Sequence, residues 1–600
     1  MIGAWGSAHR MPRRLRVFAV CVLLASSCAV CAETVGRAVP LGIGFRGDGS
    51  GIFPGDCNPP SEFDGVAGKN LIWKTPLPNY GNGSPIVVGR KVFVTCAAGW
   101  PEGADCAVLI CHDGDTGKEL WKRELDEFAT MPEPRAREAR EVRKEYHRRI
   151  RRLNTLLYEY QSADDGRKDA IFAEAGSIAA VKRESFDKNS MGTGSADQSV
   201  YGNRAFAGKL RDVCAYSPIT WSPTTLGVDM PTPVSDGRRV YVYTGRRTVY
   251  AFDLDGNMVW QVWQSDAPYN YHWVTDCANS PVIVGDLLLM YCFDHLWAYD
   301  TATGRLRYRV ESKAPFRHGM GHPVVLRLPL ADGKAEPALY LWTGDLVRVR
   351  DGRMLCRSVA PLDCAALGGD GVDRVFLGIH GESKGKPARD WVFRGEGQGG
   401  ALGVRFALKG DVAAAEKLWF NAKNDGYKAL SAYPICRGDR LWIDSGHIVD
   451  AGTGKALNAS KLIKGHGIAY NGFISAGGYI YGIQKSRVNE GSGGAGGLGK
   501  QQNLALLCTV AKEGADRLEG VGLCPVEFLP AKITEPAKRA QVVAMTSLDR
   551  YRDWYGWHEA YSAPFAGGNR LFIRTFDDLY CFGDPSRPFT PSATPGGMRQ

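Results

Sequence analysis

Beyond its first 32 residues the chain has no two cysteines in CxxC spacing. A thiolate zinc site or a dithiol redox motif therefore has little support. No apolar run past the leader is long enough to cross a bilayer as a helix. The glycine-rich stretch Gly44 to Pro54, with Asp48, has too few carboxylates for an EF-hand calcium loop. Gly494 to Lys500 matches the start of a phosphate loop, GxxxxGK, but Gln501 stands where Ser or Thr belongs. The residues from Asn503 onward read as a strand, so no helix N-terminus follows to supply N–H groups. No Ser/His/Asp grouping and no carboxylate pair can be assigned from spacing alone.

What is present is repetition. Ser280 to Val310 begins Ser-Pro, runs through three β-type segments and turns on Asp-x-x-Thr-Gly. Related copies span Ser84 to Trp121 and Thr232 to Trp260, often ending on an aromatic. Weaker ones span His322 to Leu355, Tyr433 to Leu457 and Ala563 to Asp584. A period of roughly 40–50 residues with four short strands per unit predicts an all-β fold, a β-propeller of four-stranded antiparallel blades. One such sheet cannot cover both its faces, so each stacks on the next until the ring closes. A β-sandwich is the competing arrangement, but sandwiches do not repeat one turn signature in register. The count is eight blades or seven.

Arg13, Arg14 and Arg16 precede an apolar run from Val17 to Leu24, then small residues through Ala32. This predicts a signal peptide, residues 1–32, and an exported periplasmic or extracellular protein. Processing before Cys28 with lipid anchoring is the alternative, although Ala25 replaces the usual Leu. Of 16 cysteines, Cys21, Cys28 and Cys31 fall in the leader, so an odd number remains. Local bridges are conceivable between Cys96 and Cys106 or Cys111, and between Cys356 and Cys364. Cys111 and Cys581 hold one repeat position and read as small buried hydrophobes.

After a lead-in, residues 33–70, that runs across the ring, the propeller takes residues 71–585. Asn70 to Lys74, carrying Trp73, has no local partner; its best use is as the outer strand of the last blade. Within residues 132–187, Ala139, Val142, Tyr146, Ile150, Leu153, Leu157 and Tyr160 step by three and four, a helical stripe. With a second helix from Gly166 to Arg183 it forms an inserted helical hairpin. Its basic outer face suits RNA, anionic lipid or an acidic partner, or is a solvated face laced with ion pairs. The net charge of +10 is attributed to leader and hairpin, so nucleic acid is not expected as a partner. Ser190 to Pro231 reads as a returning loop, and residues 586–600 as a disordered tail.

The connections that precede each inner strand share one mouth of the channel. They hold Tyr80 to Asn82, His272, Trp273, His318, His322, His466, Trp554, Trp557 and His558. Imidazoles and aromatic faces suit a sugar or peptide; three histidines suit a metal ion; or each merely hydrogen-bonds its loop.

The unit Asp113 to Trp121, Asp-x-x-Thr-Gly-Lys-x-x-Trp, resembles the repeat of quinoprotein-like (PQQ-like) propellers. That family includes pyrroloquinoline quinone (PQQ) alcohol dehydrogenases and the propeller lipoprotein of the outer-membrane assembly machine. The opening, Phe45 to Pro54 followed by Leu71 to Pro78, is similar to that of secreted relatives. The resemblance implies the fold. The dehydrogenases hold their quinone under two adjacent cysteines, and no two cysteines are adjacent here, so no catalytic residue carries over. The expectation is a secreted, non-enzymatic binding or scaffolding protein for a protein or glycan ligand, without a resident cofactor. The alternatives are a PQQ- or metal-dependent oxidoreductase with a nonstandard site, and a cell-envelope assembly factor.

Overall fold

The computed structural model describes residues 39–78, 83–96, 106–187, 204–214, 231–244, 248–264, 279–292, 294–313, 322–360, 362–380, 392–393, 399–422, 433–443, 447–457, 473–488, 503–513, 518–529, 562–575 and 578–592. They form eight antiparallel sheets in chain order, so the count is eight. Seven sheets are four-stranded. The sixth has three strands, and a lone bridge from Val449 to Ala456 stands where a fourth would begin. Buried clusters run from sheet to sheet, one through blades 7, 8, 1 and 2 and another through blades 3 to 5. This face-to-face stacking is how single sheets cover themselves in a propeller.

The ring closes where the tryptophan-bearing segment was expected to act. Leu71–Pro76 is the outer strand of the last blade, antiparallel to Asp578–Phe582, with Trp73 opposite Cys581. The first and last described segments of the ring thus share one sheet.

The repeated turn has a mechanical role. Asp113 accepts from the backbone N–H and the hydroxyl of Thr116 at 2.9 and 2.8 Å, and Asp300 and Asp450 treat Thr303 and Thr453 alike. The turn presents one carbonyl and one positive-φ glycine to the aromatic of the preceding blade. The indole N–H of Trp73 donates to Gly114 O at 3.1 Å, Trp121 to Leu254 O at 3.1 Å, Trp260 to Thr301 O at 3.0 Å and Trp419 to Ala451 O at 2.9 Å. Tyr308 reaches Val349 O in the same way. A Cβ on Gly117, Gly256, Gly304 or Gly454 would lie 2.6–2.7 Å from the docked indole. The aromatic and the glycine are therefore two halves of one joint between blades. Between blades 4 and 5 the joint is ionic: Arg348 bridges Asp351 and Asp411 at 2.5 and 2.7 Å.

Blade 5 has no copy among the repeats read from the sequence. Its first strand is Leu362–Gly369. Before the sheet's second hairpin, Val392 and Phe393 donate their N–H groups to Ser358 O and Val359 O. The insertion is also larger than a hairpin. Arg135–Ser162 and Asp165–Ile178 are followed by short Arg183–Asp187 and then by Arg204–Cys214, inside the stretch read as loop. Tyr146, Leu153, Leu156, Tyr160, Ile171 and Phe206 share a core of their own. Nor is the start of the tail open. Phe589 is 2% exposed, packs on Phe572, and its carbonyl accepts from Arg90. Proline and serine in residues 585–592 do not prevent packing when one aromatic finds a slot. Among the described residues no helix is long and apolar enough to cross a membrane.

The thiols lie apart from the suggested bridges. Cys96 faces Val108 across its strand pair and Cys111 faces Phe93. Cys106, Cys111 and Cys356 are free thiols. Cys111 and Cys581 are fully buried, as their repeat position predicts.

Candidate ligand site at the channel mouth

The lead-in threads the ring. Gly42 N–H donates to Ile283 O at 2.9 Å, and Ile43 exchanges two 2.8 Å bonds with Ser235. These contacts lie at the far ends of the inner strands of blades 3 and 2. The chain then reverses and leaves past blade 7, where Ser475 N–H donates to Gly51 O at 2.7 Å and Phe53 N–H to Ser475 O at 2.8 Å. Its tip, Phe45 and Arg46, reaches the level where the inner strands begin. Gly42 is required on the way in, since a Cβ there would sit 2.7 Å from that of Ile283.

At the tip, Phe45 stacks on His322 of blade 4 with centroids 3.8 Å apart and planes at 18°. It meets the Tyr433 ring of blade 6 edge-on at 5.2 Å and is buried with Ala563 of blade 8. One side chain touching three blades around the ring must lie near its axis. Arg46, 2% exposed, donates from Nε to Phe473 O at 3.0 Å in blade 7. Its guanidinium lies over the rings of Tyr433 and Phe473 at 5.7 and 5.9 Å.

The residues that precede the inner-strand prolines form a hydrogen-bonded belt. Ala563 N–H donates to Ser84 Oγ at 2.8 Å, Ser84 N–H to Thr232 Oγ1 at 2.9 Å, and Thr232 N–H to Ser280 Oγ at 2.8 Å. Ser280 N–H donates to His322 Nδ1 at 3.2 Å, and His322 N–H to the Tyr433 hydroxyl at 3.4 Å. The recurring Ser-Pro, Thr-Pro, His-Pro and Tyr-Pro starts acquire a shared cause. Proline holds its predecessor extended and has no N–H itself. The preceding residue thus supplies the N–H and the side-chain acceptor that link blade to blade from blade 8 round to blade 4, and blade 4 to blade 6.

His322 is the sequence-selected residue that the structure describes. His272, Trp273, His318, His466, Trp554, Trp557 and His558 lie outside the described residues. The Nδ1 of His322 is an acceptor, so its ring is neutral in the belt. Burial and the Arg46 charge hold its pKa down to about 3. Folded His322 therefore stays neutral where an unfolded histidine protonates. Its contribution to stability is complete above pH 6.5 and drains away as pH falls toward about 3. Thermal midpoints measured from pH 8 to 4 should fall below pH 6.5, and less steeply in His322→Gln. Parallel profiles for the two proteins would refute that assignment.

Phe45, Arg46 and Tyr433 escaped the sequence reading. The available signals were the Tyr-Pro step, which matches Ser-Pro, and a lone Arg among glycines at 44, 47, 49 and 51. Among the described residues no three His, Cys, Asp or Glu side chains are grouped to hold a metal ion.

The helical insertion offers no free basic face where its ion pairs are described. Arg140 bonds Glu133 and Asp126, Arg149 bonds Glu145, and Arg152 bonds Glu174, at 2.6–2.9 Å. Arg143 turns inward to Glu127 at 3.4 Å and to Cys106 Sγ at 3.1 Å, pinning the helix to the ring. Such pairing is what the solvated, ion-paired alternative expects.

A family model of the PQQ-repeat type, described as outer membrane protein assembly factor BamB, matches residues 202–326. No curated protein matches the chain. Among solved structures, BamB from Moraxella catarrhalis is similar at 9% identity over 59% of this chain and 82% of its own, with a TM-score of 0.32. The quinohemoprotein alcohol dehydrogenase from Comamonas testosteroni is similar at 9% identity over 87% and 77%, with a TM-score of 0.34. A second such dehydrogenase, ADHIIG from Pseudomonas putida HK5, is similar at 10% identity over the same shares, with a TM-score of 0.28. The chain is thus a β-propeller of eight stacked blades, of which residues 202–326 match a PQQ-type repeat model.

Proposed function

We propose that this is an exported, non-enzymatic β-propeller that binds a protein or glycan at the channel mouth framed by its inner-strand starts. The observation that carries the reading is the lead-in. Where a propeller enzyme needs an open axial cavity for a reactive group, this chain places its own Phe45 and Arg46 against His322, Tyr433 and Ala563. A quinone with a metal ion fits this arrangement poorly. Its planar rings would compete with Phe45 for the face of His322, and Arg46 puts a positive charge where a cation would sit. The leader, Arg13 to Ala32, supports export.

The test is to purify the full chain from an exporting host and incubate it with PQQ and calcium. Spectra are then recorded after desalting, and dye-linked oxidation of primary alcohols is assayed. The expected result is no retained quinone and no dye reduction. One quinone per chain with alcohol-dependent turnover would overturn the reading.

A second reading, envelope assembly, draws on the match of residues 202–326 to an assembly factor model. It is favoured by Leu120, Val259 and Leu306, apolar and exposed on the outer strands of three successive blades. Such a rim suits contact with another protein chain.

A further inference from the structure

We infer that the channel mouth carries a site for a carboxylate, received by the guanidinium of Arg46; this rests on the reading of that mouth as a binding site. Arg46 is a buried cation at the tip of the lead-in. Among the described residues no carboxylate is within ion-pair distance of it, and Nη2 has no hydrogen-bond partner. Asp48 is near enough for its charge to reach Arg46 without forming an ion pair, and its Oδ1 accepts from the Ser50 N–H at 3.0 Å. Burial outweighs that charge: the guanidinium pKa drops to about 10.

Burying an ion without a charged partner is unfavourable even after relaxation. The rings of Tyr433 and Phe473 offset part of that. What remains is recovered by an anion. The geometry narrows its class. Nε is occupied by Phe473 O, so the edge bearing Nη1 and Nη2 is the one left to donate. Two parallel N–H groups in one plane match the two oxygens of a carboxylate. The floor beside it, Phe45 on a neutral His322 with the Tyr433 ring at 5.3 Å, is apolar and aromatic. It suits the carbon frame of such a ligand. The Arg46 backbone, at φ 55°, is in the left-handed region. Its conformation is costly for a non-glycine residue, and Gly51 leaves the room its side chain takes, since a Cβ there would lie 2.2 Å from Nη2.

The experiment is calorimetric titration of the full chain with succinate, with trialanine, and with trialanine amide, against chloride at equal ionic strength. The succinate and peptide arms separate a free small acid from a chain terminus, and the amide removes only the charge. Saturable one-to-one binding of at least one carboxylate is expected. It should weaken about ten- to a hundredfold in Arg46→Gln, the worth of one charged hydrogen-bonded pair, and less in Arg46→Lys. If neither carboxylate gives saturable heat with the wild-type chain, the inference falls, whatever the variants do. It falls equally if folded Arg46→Gln binds as well as wild type. Either outcome leaves the binding role itself standing, because that role is tested by quinone retention and alcohol turnover.

Discussion

Replacing Trp73 by alanine is expected to lower the unfolding free energy by about 3–5 kcal/mol, the usual cost of emptying a buried aromatic site. The indole is 8% exposed and sits in the seam. It packs on Phe572 at 5.9 Å and bonds Gly114 O at 3.1 Å, while Thr75 from the same strand bonds Gly117 O at 3.0 Å. Most blade joints have a second tie, because the chain itself runs from one blade to the next. Blade 8 and blade 1 share that tie, through residues 77–85; what lacks a covalent tie is blade 8 itself, where the strand carrying Trp73 comes from the other end of the ring and is held to Asp578–Phe582 by pairing alone. Loss at this joint frees a whole sheet edge. Denaturant unfolding of Trp73→Ala beside Trp121→Ala, the same contact at an ordinary joint, measures the difference. Trp73→Ala should be the more damaging. A Trp73→Ala protein within 1 kcal/mol of wild type, taken as about the noise of extrapolation, would mean that the seam is held by something else.

The second large effect separates a glycine's backbone from its neighbour. Gly304 and Gly333 both have positive φ, 70° and 79°. Alanine at either pays the left-handed penalty, about 1–2 kcal/mol. At Gly333 that is the whole cost, since nothing lies within 4 Å of the added Cβ. At Gly304 the new atom would meet the Trp260 ring at 2.7 Å. The indole must then leave its pocket, which adds overpacking of about 1–3 kcal/mol and weakens its bond to Thr301 O. Gly304→Ala should therefore lose clearly more stability than Gly333→Ala in parallel thermal melts. Equal losses would show that the turn needs glycine for φ alone, and that the aromatic joint between blades is slack.

The two experiments probe the feature most visible in the linear chain. Asp-x-x-Thr-Gly with a following aromatic is local chemistry: a carboxylate capping its own turn, a glycine at positive φ, a ring one strand later. It recurs because each blade poses the same problem, and a recurring solution is readable without coordinates. The strand at Trp73 was assigned because it has no local partner, which left the outer edge of the last blade as its place. Blade 5 left no readable copy because it joins blade 4 through Arg348 and Asp411, which carry no repeat signature. Phe589 was missed because a single packed aromatic leaves no periodicity. The helix Arg204–Cys214 lay within a Gly- and Ser-rich frame that favoured loop.

The amino-acid order alone determined the ring, its sheet-by-sheet construction and the closing strand. Spacing over a dozen residues encodes each joint, and closure follows from every sheet needing a neighbour. Only the tertiary structure decided what stands on the axis. Phe45, His322, Tyr433 and Ala563 are separated by more than a hundred residues at every step, and no local rule pairs them. They meet because a closed circle carries distant inner-strand starts to one centre. The lead-in fills that centre because its glycines let it pass close beside the inner strands.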